Sequence, residues 1–250
     1  MKSKLISIAK FILPIALWIS VWQICAVRLD FSFLLPTVPQ TLKALWETIL
    51  NAGTYEILFL TLKRVVLSLI FSILLGGVLA IASAKYEVVK ISISPLISVM
   101  KSTPVTVISV LLYLLLPGDT APIVIALLMT MPVIWQNLMD GYNSIDNNLR
   151  EVCDVFEFSY GKRLKILILP ALLKYFFPAL ITSVGLAWKA VVSAEILVHT
   201  VDSVGEMIYE SKYNLDTARV FAWTLIVIVL SISLEKLTKF LVKRYNKRCS

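Results

Sequence analysis

Apolar runs bounded by charges alternate along this chain with short polar segments. The first run covers residues 11–27, between Lys10 and Arg28; the second covers 65–84, between Arg64 and Lys85. A third, 91–118, is interrupted only by Lys101, with Pro95 and Pro104 nearby. Three more follow: 120–139 between Asp119 and Asp140, 175–194 with Lys189 inside it, and 220–234 between Arg219 and Glu235. A helix needs about 20 residues to cross roughly 30 Å of hydrocarbon. Runs 65–84 and 120–139 have that length, and 220–234 crosses if Arg219, Glu235 and Lys236 snorkel to the interfaces. The pattern predicts an all-α, polytopic membrane protein of about six transmembrane helices, a single domain over residues 1–250.

The polar segments carry local signals of their own. Leu35 to Gln40 reads as a turn, and Thr41 is placed to cap an amphipathic helix bearing Leu42, Leu45, Trp46 and Ile49 at helical spacing. Segment 148–170 divides into two short helices. In the first, Leu149, Val152, Val155, Phe156 and Ser159 form one stripe, while Arg150, Glu151, Asp154 and Glu157 face elsewhere. Gly161 is suited to end it in the left-handed conformation. Lys162, Arg163 and Lys165 then open a second helix that leads to Pro170 and back to the membrane.

Composition agrees with a bilayer solvent: 58% of the 250 residues are hydrophobic and 16% charged, and the mean hydropathy is +0.85. The net charge of +8 reflects orientation rather than nucleic-acid binding, because no basic run is interleaved with exposed aromatics. Counted over the loops, sixteen Lys and Arg fall on the side of the termini and of 148–170, and six on the other. The positive-inside rule makes that first side cytoplasmic. Trp18, Trp22 and the lack of a small-residue cleavage site favour an uncleaved first span over a signal peptide. Cys25, Cys153 and Cys249 are scattered and His199 is the sole histidine, so the sequence supports neither a disulfide framework nor a metal site. No P-loop is present; if ATP drives this protein, another chain binds it.

Within 148–170, the stretch EVCDVFEFSYGKRLKILILP resembles the EAA loop of ABC-importer permeases. Glu151, Leu169 and Pro170 fall in register with that rule; Val152 and Cys153 stand for its alanines and Leu167 for its isoleucine. Glu157 occupies the place of its glycine, and the nearest glycine is Gly161. LLPTVP at 34–39, KSTP at 101–104, GLAWKAVVSAE at 185–195 and VGEMI at 204–208 also look like the permeases of nitrate, sulfonate and taurine importers.

The resemblance implies a type I importer (MetI-like) permease fold in the bacterial inner membrane, with both termini cytoplasmic. It implies a second permease copy, forming a homodimer, two cytoplasmic ATPases and an extracytoplasmic solute-binding protein as partners, with no cofactor and no catalytic residue in this chain. Glu151, Val152, Cys153, Asp154, Phe156, Glu157, Gly161, Leu169 and Pro170 would couple to the ATPase. The glutamate at the glycine position implies either a turn shifted to Gly161 or an altered ATPase groove. Read from the residues alone, the loop could equally lie on lipid headgroups.

Lys101, Lys189 and Glu195 lie in apolar spans, where an unpaired charge costs about 2.5–3.5 kcal/mol. They either pair with other helices or, with Trp188, line a translocation path suited to an anion such as nitrate, taurine, another sulfonate or a thiamine-precursor-like compound. A secondary transporter, a membrane enzyme and the coupling subunit of a vitamin transporter are the competing classes. The first lacks an internal repeat, the second a convergent set of reactive groups, and the third its paired signature.

Overall fold

A computed structural model describes residues 2–29 and 34–249. The side chains of Lys2, Lys4, Lys10 and Arg248, which enter the charge count, lie outside the described residues. Every regular element described is helical.

Helix α1, Lys2–Leu29, reaches α2, Val38–Leu50, through two hydrogen bonds. The Trp22 indole donates to the Pro36 carbonyl at 3.0 Å, and the Val38 amide donates to the Gln23 side chain at 2.9 Å. α2 begins earlier than its apolar periodicity suggests. Thr37, not Thr41, is its cap, in a capping box with Gln40, and Pro39 follows in the first turn where no amide partner is needed. Thr41 and Thr48 are the buried face, while Leu42, Trp46 and Ile49 point outward.

α3, Ala52–Lys85, buries a stripe of Thr61, Val65, Ser68, Ser72, Gly76 and Ala80. Small and hydroxylated residues at this spacing let two spans approach closely. The stripe packs on α6, Ala121–Asn143, where the Ser72 and Thr130 hydroxyls lie 2.6 Å apart. A Cβ on Gly76 would stand 3.1 Å from the Met131 carbonyl oxygen, whereas one on Gly77 would meet nothing within 4 Å, so only the first of these two glycines belongs to the packed face.

The run 91–118 is not one straight span. α4, Glu87–Ser102, and α5, Val105–Leu115, meet at an angle of 103°. Pro104 is the cause: it lacks an amide hydrogen and forces Thr103 into the extended region, at φ −80° and ψ 126°.

α7, Asn147–Val155, is the first loop helix; α8, Tyr160–Arg163, continues through a π-helical turn, Leu164–Ile168, into α9, Leu169–Val198. The expected second loop helix is therefore the start of span five, and Pro170 sits in the first turn of α9 without breaking it. α10, Val204–Tyr213, capped by Ser203, leads to α11, Thr217–Cys249. α6 lies at the centre, sandwiched by α3 and α9. One core cluster gathers Ile97, Met131, Ile134, Trp135 and Leu138; another gathers Val65, Trp188, Val191 and Trp223.

Four helical stretches among the described residues are long and apolar enough to cross a bilayer: Ala52–Lys85, Ala121–Asn143, Tyr160–Val198 and Thr217–Tyr245. The bent pair α4 and α5 makes a fifth, and α1 adds the shorter apolar stretch Leu13–Leu29. The helix that carries the sixth run continues past Glu235 to Cys249. α11 lies alongside α9, with Glu235 against Gly185 near the middle of α9 and the Tyr245 ring 5.2 Å from that of Phe177. Gly185 makes this possible, because a Cβ there would fall 2.2 Å from a Glu235 carboxylate oxygen.

Candidate functional site: the polar loop and a buried ion pair

The Asp146 carboxylate accepts from the Asn148 amide at 2.9 Å and caps α7. From that cap the helix turns Cys153 inward, 5% exposed, and its apolar stripe outward. Val155 is 80% exposed and Phe156 67%, with Leu149 and Val152 also open, and Glu151 beside them. The stripe that an isolated amphipathic helix would bury against its own protein is thus presented outward.

α7 ends in a Schellman motif. The Phe158 amide donates to the Cys153 carbonyl at 3.0 Å, the Glu157 amide to the Asp154 carbonyl at 3.0 Å, and Glu157 between them is left-handed, at φ 48°. The turn therefore remains at Glu157, the position of the EAA rule's glycine. Gly161 lies inside α8 without a positive φ, so it does not terminate the helix. A left-handed non-glycine residue costs roughly 1–2 kcal/mol, and Arg163 supplies an offset. Its guanidinium donates to the Phe158 carbonyl at 2.9 Å and the Cys153 carbonyl at 3.2 Å, and pairs with Asp154. Arg150 ties the other end of α7 to α6 by donating to the Tyr142 carbonyl at 2.8 Å. In the sequence these two arginines read only as basic loop residues; their fork geometry is the signal that suits them to carbonyl pairs. A cavity of ≈ 290 Å³, lined in part by Lys85, Arg150, Cys153 and Tyr160, separates α7 from the spans.

At the far end of the bundle, Glu195 is fully buried. Arg64 donates to its carboxylate at 3.1 Å, Thr61 at 3.1 Å and the Gly205 amide at 3.3 Å. Arg64 also reaches Asp119 at 3.0 Å and the Val201 carbonyl at 3.2 Å, so one side chain ties α3 to α9 and to the two loops around it. Gly205 is required for this closeness: a Cβ there would stand 2.3 Å from the Cβ of Glu195. Arg64, read from the sequence as a boundary charge, is the group that satisfies Glu195.

The residues expected along a path do not converge within one protomer. Trp188 is 1% exposed and donates its indole hydrogen to the Val227 carbonyl at 3.0 Å, and Glu195 is held in the ion pair. Lys189 is exposed on α9, and Lys101 is exposed just before the bend at Pro104. Among the described residues no three His, Cys, Asp or Glu side chains are grouped as metal ligands.

The chain is thus a bundle of apolar spans that holds one capped amphipathic helix outward on a polar loop. Residues 72–247 match the family of binding-protein-dependent transport system inner membrane components, and the chain belongs to that family. It is 26% identical over 235 residues, 93% of this chain and 84% of its relative, to a protein of Bacillus subtilis described as the aliphatic sulfonates transport permease SsuC. It is 24% identical to the nitrate import permease NrtB of Synechocystis (91% of this chain, 85% of the relative) and 22% identical to the taurine transport permease TauC of Escherichia coli (92% and 84%). Its fold is that of two solved transporters. An amino acid ABC transporter superposes with a TM-score of 0.61 at 18% identity, covering 78% of this chain and 93% of the other. The methionine transporter MetNI gives 0.60 at 17%, covering 78% and 97%. The chain is a membrane-spanning permease subunit of an ABC importer.

Proposed function

We propose that this permease admits a small anionic solute, nitrate, taurine or another sulfonate, and that α7 is its contact with a cytoplasmic ATPase. The observation that carries the reading is the outward apolar stripe of α7, held rigid by Asp146, Arg150 and Arg163 and ended by the left-handed Glu157. Such a face gains stability only when a partner covers it. The excess of Lys and Arg on the loops of that side makes it cytoplasmic, where ATP is found, and sets both termini there. Arg64, Glu195 and α10 then lie on the outer side, where a solute-binding protein would dock. The exposed Lys101 and Lys189 support a path of positive potential between this subunit and a second copy, and the sulfonate, nitrate and taurine relatives agree with an anion.

The test is Phe156→Asp in the complex with its ATPase, reconstituted in vesicles. A carboxylate in a desolvated contact should reduce solute-stimulated ATP hydrolysis at least about tenfold, or about 1.4 kcal/mol, while the subunit still inserts and melts normally. Full stimulation would remove α7 as the coupling contact.

A further inference from the structure

Toward their polar ends α9 and α11 part around a cavity of ≈ 470 Å³, walled by Leu173, Phe177, Pro178, Ile181 and Val242, with Lys174 and Tyr245 completing the lining. Pro178, Lys174 and Tyr245 are exposed, so the hollow opens to the outside of the protomer. Its depth in the bundle can be fixed. A Cβ on Gly141 would stand 3.1 Å from the Tyr175 ring, and α6 ends at Asn143, just before the polar α7. Lys174, next to Tyr175, therefore stands where the spans leave the apolar layer, and the cavity runs from there past Ile181 toward Gly185 and Glu235. Lys174 is in no ion pair among the described residues. On the same stretch of α11, Lys243, Arg244 and Lys247 line a neighbouring hollow of ≈ 320 Å³ with Phe240.

We propose that the α9–α11 cavity binds one anionic phospholipid, an acyl chain lying along Leu173, Phe177, Ile181 and Val242 and the phosphate resting on Lys174. Apart from Lys174 and Tyr245 the lining side chains are apolar, so the hollow takes hydrocarbon along Leu173, Phe177, Ile181 and Val242 when it faces a bilayer. Charge selects the headgroup. An ammonium at the interface favours an anionic lipid by about fivefold, and the cations of α11 raise the positive potential at the same depth. The site rests only on the chain spanning a membrane, so it stands or falls apart from the identity of the solute.

The purified full chain, equilibrated with equal amounts of palmitoyl-oleoyl phosphatidylglycerol and phosphatidylcholine, should retain phosphatidylglycerol in native mass spectrometry. Lys174→Gln should cut that preference about fivefold, Ile181→Trp should expel lipid of either headgroup by filling the cavity, and glycerol phosphate without acyl chains should not compete. Equal retention of both lipids by the wild type would overturn the proposal, as would unchanged retention in an Ile181→Trp protein that melts normally, or displacement by glycerol phosphate. The wild type alone provides a further test, independent of any variant: phosphatidylglycerol with a photoreactive acyl chain should mark peptides containing Leu173 to Ile181 or Val242. Labelling confined to other segments, as when a second copy covers the groove, would also overturn it.

Discussion

Arg64 on α3 and Glu195 on α9 are 131 residues apart in the chain and 3.1 Å apart in space. The carboxylate is sealed from solvent while the guanidinium continues to Asp119, whose side chain is 77% exposed, so the pair links a buried joint to the surface. Losing Arg64 would leave the Glu195 carboxylate buried without a cation, whereas losing Glu195 would leave Arg64 its pair with Asp119.

Arg64→Met, which strips the fully buried Glu195 of its cation, is accordingly expected to destabilise the subunit by about 3–5 kcal/mol. The double variant Arg64→Met with Glu195→Ala should recover part of that loss, because the coupling between contacting groups is about 0.5–3 kcal/mol. Thermal unfolding in detergent measures both, and strictly additive losses would deny the pair.

Gly205 and Gly77 form a matched comparison. A methyl on Gly205 collides with Glu195 and the Ile196 amide, while one on Gly77 touches nothing. Gly205→Ala should abolish assembly of the folded subunit, and Gly77→Ala should leave yield unchanged or slightly improved, since alanine favours helix over glycine by about 1 kcal/mol. Yield and melting temperature after membrane extraction are the readouts.

Glu157 is left-handed at a position where glycine bears no steric penalty. Glu157→Gly should stabilise the α7 turn by about 1 kcal/mol, seen as slower proteolysis within 156–160. Gly161→Ala, in an ordinary helical turn with open space around it, should have no such effect. The reverse ranking would move the turn to Gly161.

Lys189 is exposed on a span and is in no ion pair among the described residues. Lys189→Met removes its charge while keeping an apolar stem. Transport of an anionic solute by the reconstituted complex should fall at least about tenfold with near-normal melting. Unimpaired transport, or failure through lost assembly alone, would take Lys189 out of the path.

Orientation has its own check. Single cysteines replacing Glu206 and Lys165 in a cysteine-free background should react with an impermeant reagent from opposite sides of the membrane, Glu206 from outside and Lys165 only after lysis. Labelling of both from one side would defeat the assignment of α10 and α8–α9 to opposite faces.

The apolar runs at 65–84 and 120–139 were legible because a span must be long and apolar whatever its neighbours, and the amphipathic stripe of α7 because helical periodicity is local. The glutamate at 157 was visible in the sequence, but that it takes the left-handed turn was not. The course of the sixth helix beyond its apolar run was not legible, for the opposite reason. Glu235 and Lys236 resemble a boundary when charges are counted along one helix, yet the residue that accommodates Glu235 is Gly185 on another. At 104 the proline was visible, but the 103° between α4 and α5 was not.

The sequence by itself determined how many apolar segments the chain has, roughly where they lie and which polar loop stands apart, since each follows from side-chain type and spacing within one segment. Only the tertiary structure decided that Arg64 rather than Lys189 meets Glu195, that the stripe of α7 faces away from its own bundle, and that Glu157 takes the left-handed turn. A buried charge takes whichever partner the packing of distant helices brings within reach. A strained backbone residue persists only where side chains from elsewhere, here Arg163, hold the hydrogen bonds around it.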